Sequence, residues 1–270
     1  MPLFCDIALA ERIERAEARL MAEACEAAHR RRGDGRGFVL PVAGGSASFA
    51  EPDSPFNKVA GLGFGGVPVL DEVEAAFAEH GSPVQVELSQ LADPAVGEQL
   101  TTHGYRLVSF ENVLGLALGP PRDRVTPDGV EVRRTDDVGL WLAVVADSFA
   151  EADSQGVASH EAFPRETIEN AMRDFAAVGV RRYLALRNGQ VAGGGGFRVT
   201  DGIAQLTGAA TLPAHRRHGV QTALLSTRLA DAEGCDLAVV TTQPGSKSQE
   251  NVQRQGFDLL YTRAILIKDV

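Results

Sequence analysis

The spacing of apolar residues divides the chain into alternating helical and extended stretches. Between Ala10 and Arg32 they recur every three or four positions, at Ile13, Ala16, Leu20, Ala24 and Ala27, which predicts one long amphipathic helix. Asp34 and the glycines Gly33, Gly35 and Gly37 stop it. Strands are predicted near 38–43, 46–50 and 57–63 and a helix near 69–80. A short strand at Val84–Leu88, a helix from Pro94 to His103 and a long extended run through LVSFENVLGLAL complete this part.

Gly119 to Gly129 then interrupts the pattern. Pro120, Pro121 and Pro127 cannot continue either regular structure, and the charged residues between them keep the stretch solvated. The expected organisation is therefore a domain over residues 1–118, a linker over 119–128 and a second domain over 129–270.

Beyond the linker, a strand at 130–133 leads to Thr135, the expected N-cap of a helix with Val138, Trp141, Leu142, Val145 and Phe149 on one face. A second helix opens at Pro164 and buries Ile168, Met172 and Phe175. Tyr183–Arg187 and Gln190–Val199 flank Asn188-Gly189, a type I′ hairpin signal, and Asp201-Gly202 turns the chain into a third strand ending at Leu212. A helix over 219–233, a strand at 236–241, a short helix and a last strand to Lys268 follow. The order β-α-α-β-β-β-α-β-α-β predicts an α/β (α+β) fold, a mixed sheet with helices on both faces.

The two halves align with each other at one fixed offset. Val84–Leu88 falls on Asp236–Val240, Pro94–His103 on Ser246–Gln255, and Gly104-Tyr105 on Gly256-Phe257. One offset carrying strand, helix, Gly-aromatic pair and strand together indicates internal duplication.

Composition narrows the classes. Apolar residues make up 44% of the 270, enough for one or two sizeable cores, and no run approaches the length of a membrane span. The opening MPLFCDIALA lacks a basic region and is not read as a signal peptide. Cys5, Cys25 and Cys235 have no paired spacing, which argues against a disulfide framework or a structural zinc site and fits a cytoplasmic location. A net charge of −10 lacks the basic footprint that nucleic-acid binding needs and is compatible with cationic partners such as amines.

Against that acidity, Thr211-Leu212-Pro213-Ala214-His215-Arg216-Arg217-His218-Gly219-Val220-Gln221-Thr222 stands out. Pro213 ends a strand, and a basic turn runs straight into an apolar-periodic helix. The first amides of that helix have no intrahelical partner and carry a partial positive charge. Gly219 lets an anion approach the backbone without a β-carbon in the way. The stretch has the makings of a phosphate cradle.

The order of elements, with Arg216-x-x-Gly219-x at the strand-to-helix turn, resembles the GNAT superfamily of N-acetyltransferases, whose signature Q/R-x-x-G-x-G/A holds the pyrophosphate of acetyl-CoA. Gln221 stands where that signature has Gly or Ala. The tail Gln255-Gly256-Phe257 and its following strand are similar to the family's closing elements, and the first half resembles a degenerate copy. The resemblance implies two GNAT-like domains, each a mixed, mostly antiparallel sheet flanked by helices. It implies that the amides of His218, Gly219, Val220, Gln221 and Thr222, with Arg216 and Arg217, meet the pyrophosphate. The backbone near Ala210 and Leu212 would pair with the pantetheine arm, and Asn251 would either reach the coenzyme or cap a helix.

By the same resemblance, acetyl-CoA or another acyl-CoA is the co-substrate, no metal is needed, and the acceptor is an amine of a small molecule or peptide. Neither nucleic acid nor membrane is an expected partner, and a homodimer is left open. The family's general acid is a tyrosine four residues before the Gly-Phe pair, and that position holds Val252. The base is not fixed either: Glu151 and Asp153 in the loop between the first two helices are the candidates, alongside a plain solvating role for each. In the first half Phe64-Gly65-Gly66-Val67-Pro68 occupies the place of the basic turn, with no arginine and with Pro68 lacking an N–H, so no second coenzyme site is expected there. A non-catalytic acyl-CoA-binding protein is the rival reading.

Overall fold

The computed structural model describes residues 2–120, 122–151, 155–157, 161 and 163–269. Two compact units account for them. Their boundaries differ from those expected at the linker, because the ends of two strands belong to the unit of the opposite half. One unit comprises Phe4–Val113 together with Leu260–Val270, and the other comprises Leu114–Leu259 with the extreme N-terminus.

The first unit opens on α1 (Ile7–Arg32), which starts one turn earlier than its apolar repeat indicates because the Asp6 carboxylate accepts from the Leu9 amide. Gly33, at φ 65°, closes it by donating its N–H to the His29 carbonyl. Strands β1 (Phe38–Val42), β2 (Gly45–Phe49), β3 (Lys58–Ala60) and β4 (Val84–Ser89) follow, with α2 (Leu70–Ala78) and α3 (Pro94–Thr102) inserted. The core gathers Phe49, Leu62, Val73, Phe77, Val86, Val96, Leu100 and Tyr105. Next comes β5 (Arg106–Ala117), whose first eight residues lie in this unit.

The strand that pairs antiparallel with β4 is the last of the chain, β11 (Asp258–Lys268), in register from Arg263↔Ser89 to Lys268↔Val84. Arg263 is buried there. Its Nε donates to Glu14 Oε1 at 2.7 Å, and its Nη1 reaches Glu111 Oε2 at 3.1 Å and Glu87 Oε2 at 3.4 Å. Lys58 Nζ takes the other oxygen of Glu87 at 2.5 Å. Two cations thus share a buried site with several carboxylates, and burial together with the Glu87 charge pushes the Glu111 carboxyl up to about 7.

The second unit contains β6 (Val130–Arg134), α4 (Val138–Ala150), α5 (Arg165–Ala177), β7 (Arg181–Arg187), β8 (Gln190–Thr200), β9 (Ile203–Thr211), α6 (Val220–Ala230), β10 (Leu237–Thr242) and α7 (Lys247–Arg254). Asp137, not Thr135, caps α4 by accepting from the Leu140 amide at 2.9 Å. Thr135 instead accepts from the Asp137 amide. Phe149, expected on the buried face of that helix, is exposed.

Strands β6, β7, β8 and β9 pair antiparallel in sequence order, and β10 joins β9 in parallel. The Leu118 amide bonds to the Asp236 carbonyl, where the end of β5 meets the residue before β10. The expected linker is not loose here: Val125 donates its amide to Ser226 on α6, and Arg124 pairs with Asp231. Each unit is the mixed, mostly antiparallel sheet flanked by helices that the pattern predicts. The offset between halves also persists in the elements, with α3 falling on α7 and β5 on β11.

Candidate active site

The parallel pair at the middle of the second unit is short. β9 and β10 are in register only over Ile203–Gln205 and Leu237–Val239 and then part. From Leu206 and Val240 onward each offers backbone groups with no strand opposite, and the gap between them is a cleft of about 730 Å³, a size suited to a small-molecule ligand. A bulge helps to open it. The β8–β9 register shifts between Gly194 and Gly196, opposite Gly208, which takes φ 60°. A β-carbon on Gly208 would come within 3.1 Å of Met172 Sδ and 3.6 Å of the Trp141 ring, so a larger residue could not bend the strand there. Trp141 steadies the bulge by donating Nε1–H to the Gly195 carbonyl at 3.2 Å.

The cleft ends at the turn into α6. A single 3-10 turn, Pro213–His215, is followed by Arg217 at φ 64° and Gly219 at φ 80°, both left-handed. Alternating hands over successive residues make a concave nest of amides, here continuous with the N-terminus of α6. A non-glycine residue in that region costs roughly 1–2 kcal/mol, so Arg217 is held there by its surroundings. Gly219 caps α6 without a side chain, and a β-carbon on it would meet Pro127 at 2.7 Å. Its requirement for glycine is therefore both conformational and steric.

The expected coenzyme residues line this cleft, except Leu212 and His218. Leu212 donates its amide to the Ala192 carbonyl at 2.9 Å, and His218 is exposed. Arg216 has structural partners: its Nε reaches the Thr211 carbonyl at 3.3 Å, and its Nη2 reaches the Ser148 carbonyl at 3.3 Å and the Glu151 carbonyl. It fastens the end of α4 to the turn. Gln221, the departure from the signature, turns aside and donates Nε2–H to Thr211 Oγ1 at 2.8 Å. Asn251, with Val252 behind it, faces the cleft from α7.

Of the two base candidates, Glu151 lies on the rim and is exposed, and Asp153 lies outside the described residues. Gln155 beside them also lines the cleft, and the next residues bridge to the β10–α7 loop, with Gly156 paired to Ser246 and Val157 N–H bonded to the Gly245 carbonyl. Gln155–Val157 are thereby seated at the cleft. Val252 is buried in the core, as a valine in the acid position should be. Tyr183 is buried too and donates to Asp231 at 2.9 Å, with burial raising its phenol above the ordinary tyrosine range.

Among the lining residues not anticipated, Arg228 is a buried charge. Gln221, Leu225 and Arg228 fall on one face of α6 at helical spacing, and all three look into the cleft. Arg228 is the single charge in VQTALLSTRLA, the signal that an apolar-periodic reading of the helix passes over.

The family described as Acetyltransferase (GNAT) family matches residues 145–257, a stretch that holds the splayed strands, the turn and α6. The match covers less than half of the chain and lies within the second unit, which therefore carries the likeness to that family.

The fold is similar to that of several solved proteins. A GCN5-related N-acetyltransferase from Kribbella flavida is 17% identical over 94% of this chain and 95% of its own, with a TM-score of 0.65. A GCN5-related N-acetyltransferase from Sphaerobacter thermophilus, also 17% identical, covers 94% of this chain and 91% of its own at a TM-score of 0.56. A tandem GNAT protein from the clavulanic acid biosynthesis pathway is 13% identical over 100% and 97%, with a TM-score of 0.59. No curated protein matches the chain significantly in sequence.

Proposed function

We propose that the second unit binds an acyl-CoA in the cleft between β9 and β10 and transfers its acyl group directly to an amine. The observation that carries this reading is the parting of two parallel strands toward a left-handed turn and the N-terminus of α6. The amides of Gly219, Val220, Gln221 and Thr222 and the Arg217 side chain would take the pyrophosphate. The free edge of β9 around Ala210 would pair with the pantetheine amides, and Asn251 would face the arm from α7. The residues fit such a ligand, since the nest supplies amide donors and the cleft walls combine apolar residues such as Leu206, Leu225 and Val240 with polar ones.

In the transfer step the neutral amine attacks the thioester carbonyl carbon, a C–N bond forms, the C–S bond breaks, and the thiolate and the nitrogen exchange a proton through solvent. With Val252 in the acid position, alignment of the two reactants supplies most of the acceleration. Glu151 on the rim is the candidate to help deprotonate the amine, and Asp153 shares its loop. The acceptor is an amine of a small molecule or peptide entering beside that loop.

The expected division at residues 119–128 is kept only as a boundary in sequence, with the first half contributing no coenzyme site. Among the described residues no helix is long and apolar enough to cross a membrane, and the free cysteines agree with a reducing compartment such as the cytoplasm. Release of free thiol from acetyl-CoA in the presence of a panel of amines tests the reading. Tight CoA binding with no thiol release from any amine would instead favour the non-catalytic binding protein, which the buried Val252 also suits.

A further inference from the structure

Arg228 is a buried cation lining the cleft, with no carboxylate partner among the described residues. Its side chain is 3% exposed. Nε donates to the Leu224 carbonyl at 3.1 Å and Nη1 to the Gly196 carbonyl at 3.0 Å, so two neutral backbone groups fix the plane of the guanidinium. Nη2 has no hydrogen-bond partner among the described residues, and no carboxylate among them pairs with the group. Burial accordingly pulls its pKa down to about 10, with the nearby Tyr183 hydroxyl working the other way. A buried charge without a counter-ion costs several kcal/mol, which a bound anion would offset.

The surroundings hold that charge where a ligand can reach it. Gly196 bonds opposite Thr207, next to the point where β9 leaves β10, and a β-carbon on Gly195 would lie 3.4 Å from Arg228 Cζ. Part of the glycine run 193–196 thus lies directly against the guanidinium. From Gly219 to Arg228 is nine helical steps, about 13 Å along the axis. Leu225, Leu206 and Val240 line the cleft together with polar residues and with Lys247 and Arg254, both of which pair with Glu250. Arg228 is a buried cation in this lining with no carboxylate partner among the described residues.

We propose that Arg228 recognises a carboxylate at the far end of the acyl group, so that the preferred donor is the CoA thioester of a dicarboxylic acid rather than a simple acetyl group. This rests on the reading of the cleft as an acyl-CoA site, since the nest would fix the phosphates at one end and leave the acyl end beside Arg228. The guanidinium pairs with a carboxylate through charge-assisted hydrogen bonds that a neutral acyl chain cannot make.

The test is calorimetric binding of CoA, butyryl-CoA and succinyl-CoA to the full-length chain and to Arg228→Met. Butyryl and succinyl groups match in length and differ in the charge. The expected result is succinyl-CoA at least about tenfold tighter than butyryl-CoA in the parent. That preference should be lost in Arg228→Met, with CoA affinity kept within about threefold. Equal affinities in the parent overturn the proposal, and so does a preference that survives in Arg228→Met, because the charge would then be read by another cation. Failure of all three ligands, CoA included, overturns the acyl-CoA site itself and is told apart by that pattern. If Arg228→Met does not fold by circular dichroism, the parent's ratio still decides, with Arg228→Lys expected to keep part of the preference.

Discussion

The Gln221 side chain donates to the Thr211 hydroxyl at 2.8 Å, which joins the first turn of α6 to the end of β9 across the mouth of the cleft. This explains how a residue larger than Gly or Ala is accommodated at that position, since the amide group lies along the wall and leaves the backbone N–H groups to the nest. Gln221→Ala should therefore retain CoA binding within about threefold while losing about 1 kcal/mol of stability from one side-chain hydrogen bond. Calorimetry and a urea melt check the two halves of the statement. A large loss of affinity would mean that the Gln221 side chain itself contacts the ligand.

Gly219 is constrained twice, by φ 80° and by Pro127 at 2.7 Å from a β-carbon. Gly219→Ala is expected to cost at least about 1–2 kcal/mol from the backbone alone and to lower CoA affinity tenfold or more as the turn shifts. Pro127→Gly in the same chain should recover part of the stability. If the double variant is no more stable than Gly219→Ala, the contact with Pro127 is not what the glycine avoids.

Tyr261 belongs to the first unit, is buried, and donates its hydroxyl to Glu14 Oε1 at 2.7 Å, with burial and the Glu14 charge holding the phenol far above its usual range. It is a structural donor to a buried carboxylate. Tyr261→Phe should leave turnover within about threefold and cost about 1.5–3 kcal/mol, the range for a hydrogen bond to a charged group. A hundredfold fall in kcat with unchanged CoA affinity would place the hydroxyl at the thioester and make Tyr261 the missing acid.

The Glu111 carboxyl titrates near 7 in the folded chain against 4.5 as an unperturbed group, so the folded state binds its proton more tightly than the unfolded state. Its contribution to stability is complete below about 4.5 and is lost as pH rises through about 7. Thermal melts between pH 5 and 8 should show a falling component that Glu111→Gln removes. If the parent and variant curves keep the same slope, Glu111 does not carry the titration.

The first unit should contribute no second coenzyme site. In the counterpart of the basic turn, Phe64–Pro68, Gly65–Val67 are exposed, but a β-carbon on Gly65 would lie 2.4 Å from the Ala43 carbonyl, and Gln99 on α3 donates to the Pro68 carbonyl at 2.9 Å. One CoA per chain is the expected stoichiometry by calorimetry, and two would show Phe64–Pro68 to be a working cradle.

Much of this was legible in the sequence because it is local. The amphipathic repeat of α1, the Asn188-Gly189 hairpin, the Pro213 strand end and Gly219 each declare themselves within a few residues. The 152-residue offset also anticipated that β4 and β10, α3 and α7, and β5 and β11 are counterparts. What was hidden depends on distant partners. Asp137 is the exception, a local cap that lay two residues beyond Thr135 and directly before the helix. Arg216 reads as a phosphate ligand until Ser148 and Glu151, more than 60 residues earlier, are seen to receive it. Arg228 looks like an ordinary surface arginine in a helix until β8 is laid against it. The strand exchange left no local mark at all, since β11 has the same alternation whichever sheet receives it.

That exchange has a consequence for how the chain is made. The neighbour that β4 requires, Arg263–Lys268, leaves the ribosome on the order of ten seconds after the rest of the first unit has emerged. Throughout that interval β4 waits with one edge unpaired, the kind of edge that recruits stray strands. Glu87 sits on it, a carboxylate turned inward beside Lys58, and a passing apolar segment would not bring the Arg263 guanidinium that joins them. The correct strand arrives carrying Arg263, so the buried ion cluster acts as a lock that admits the chain's own C-terminus and turns other strands away.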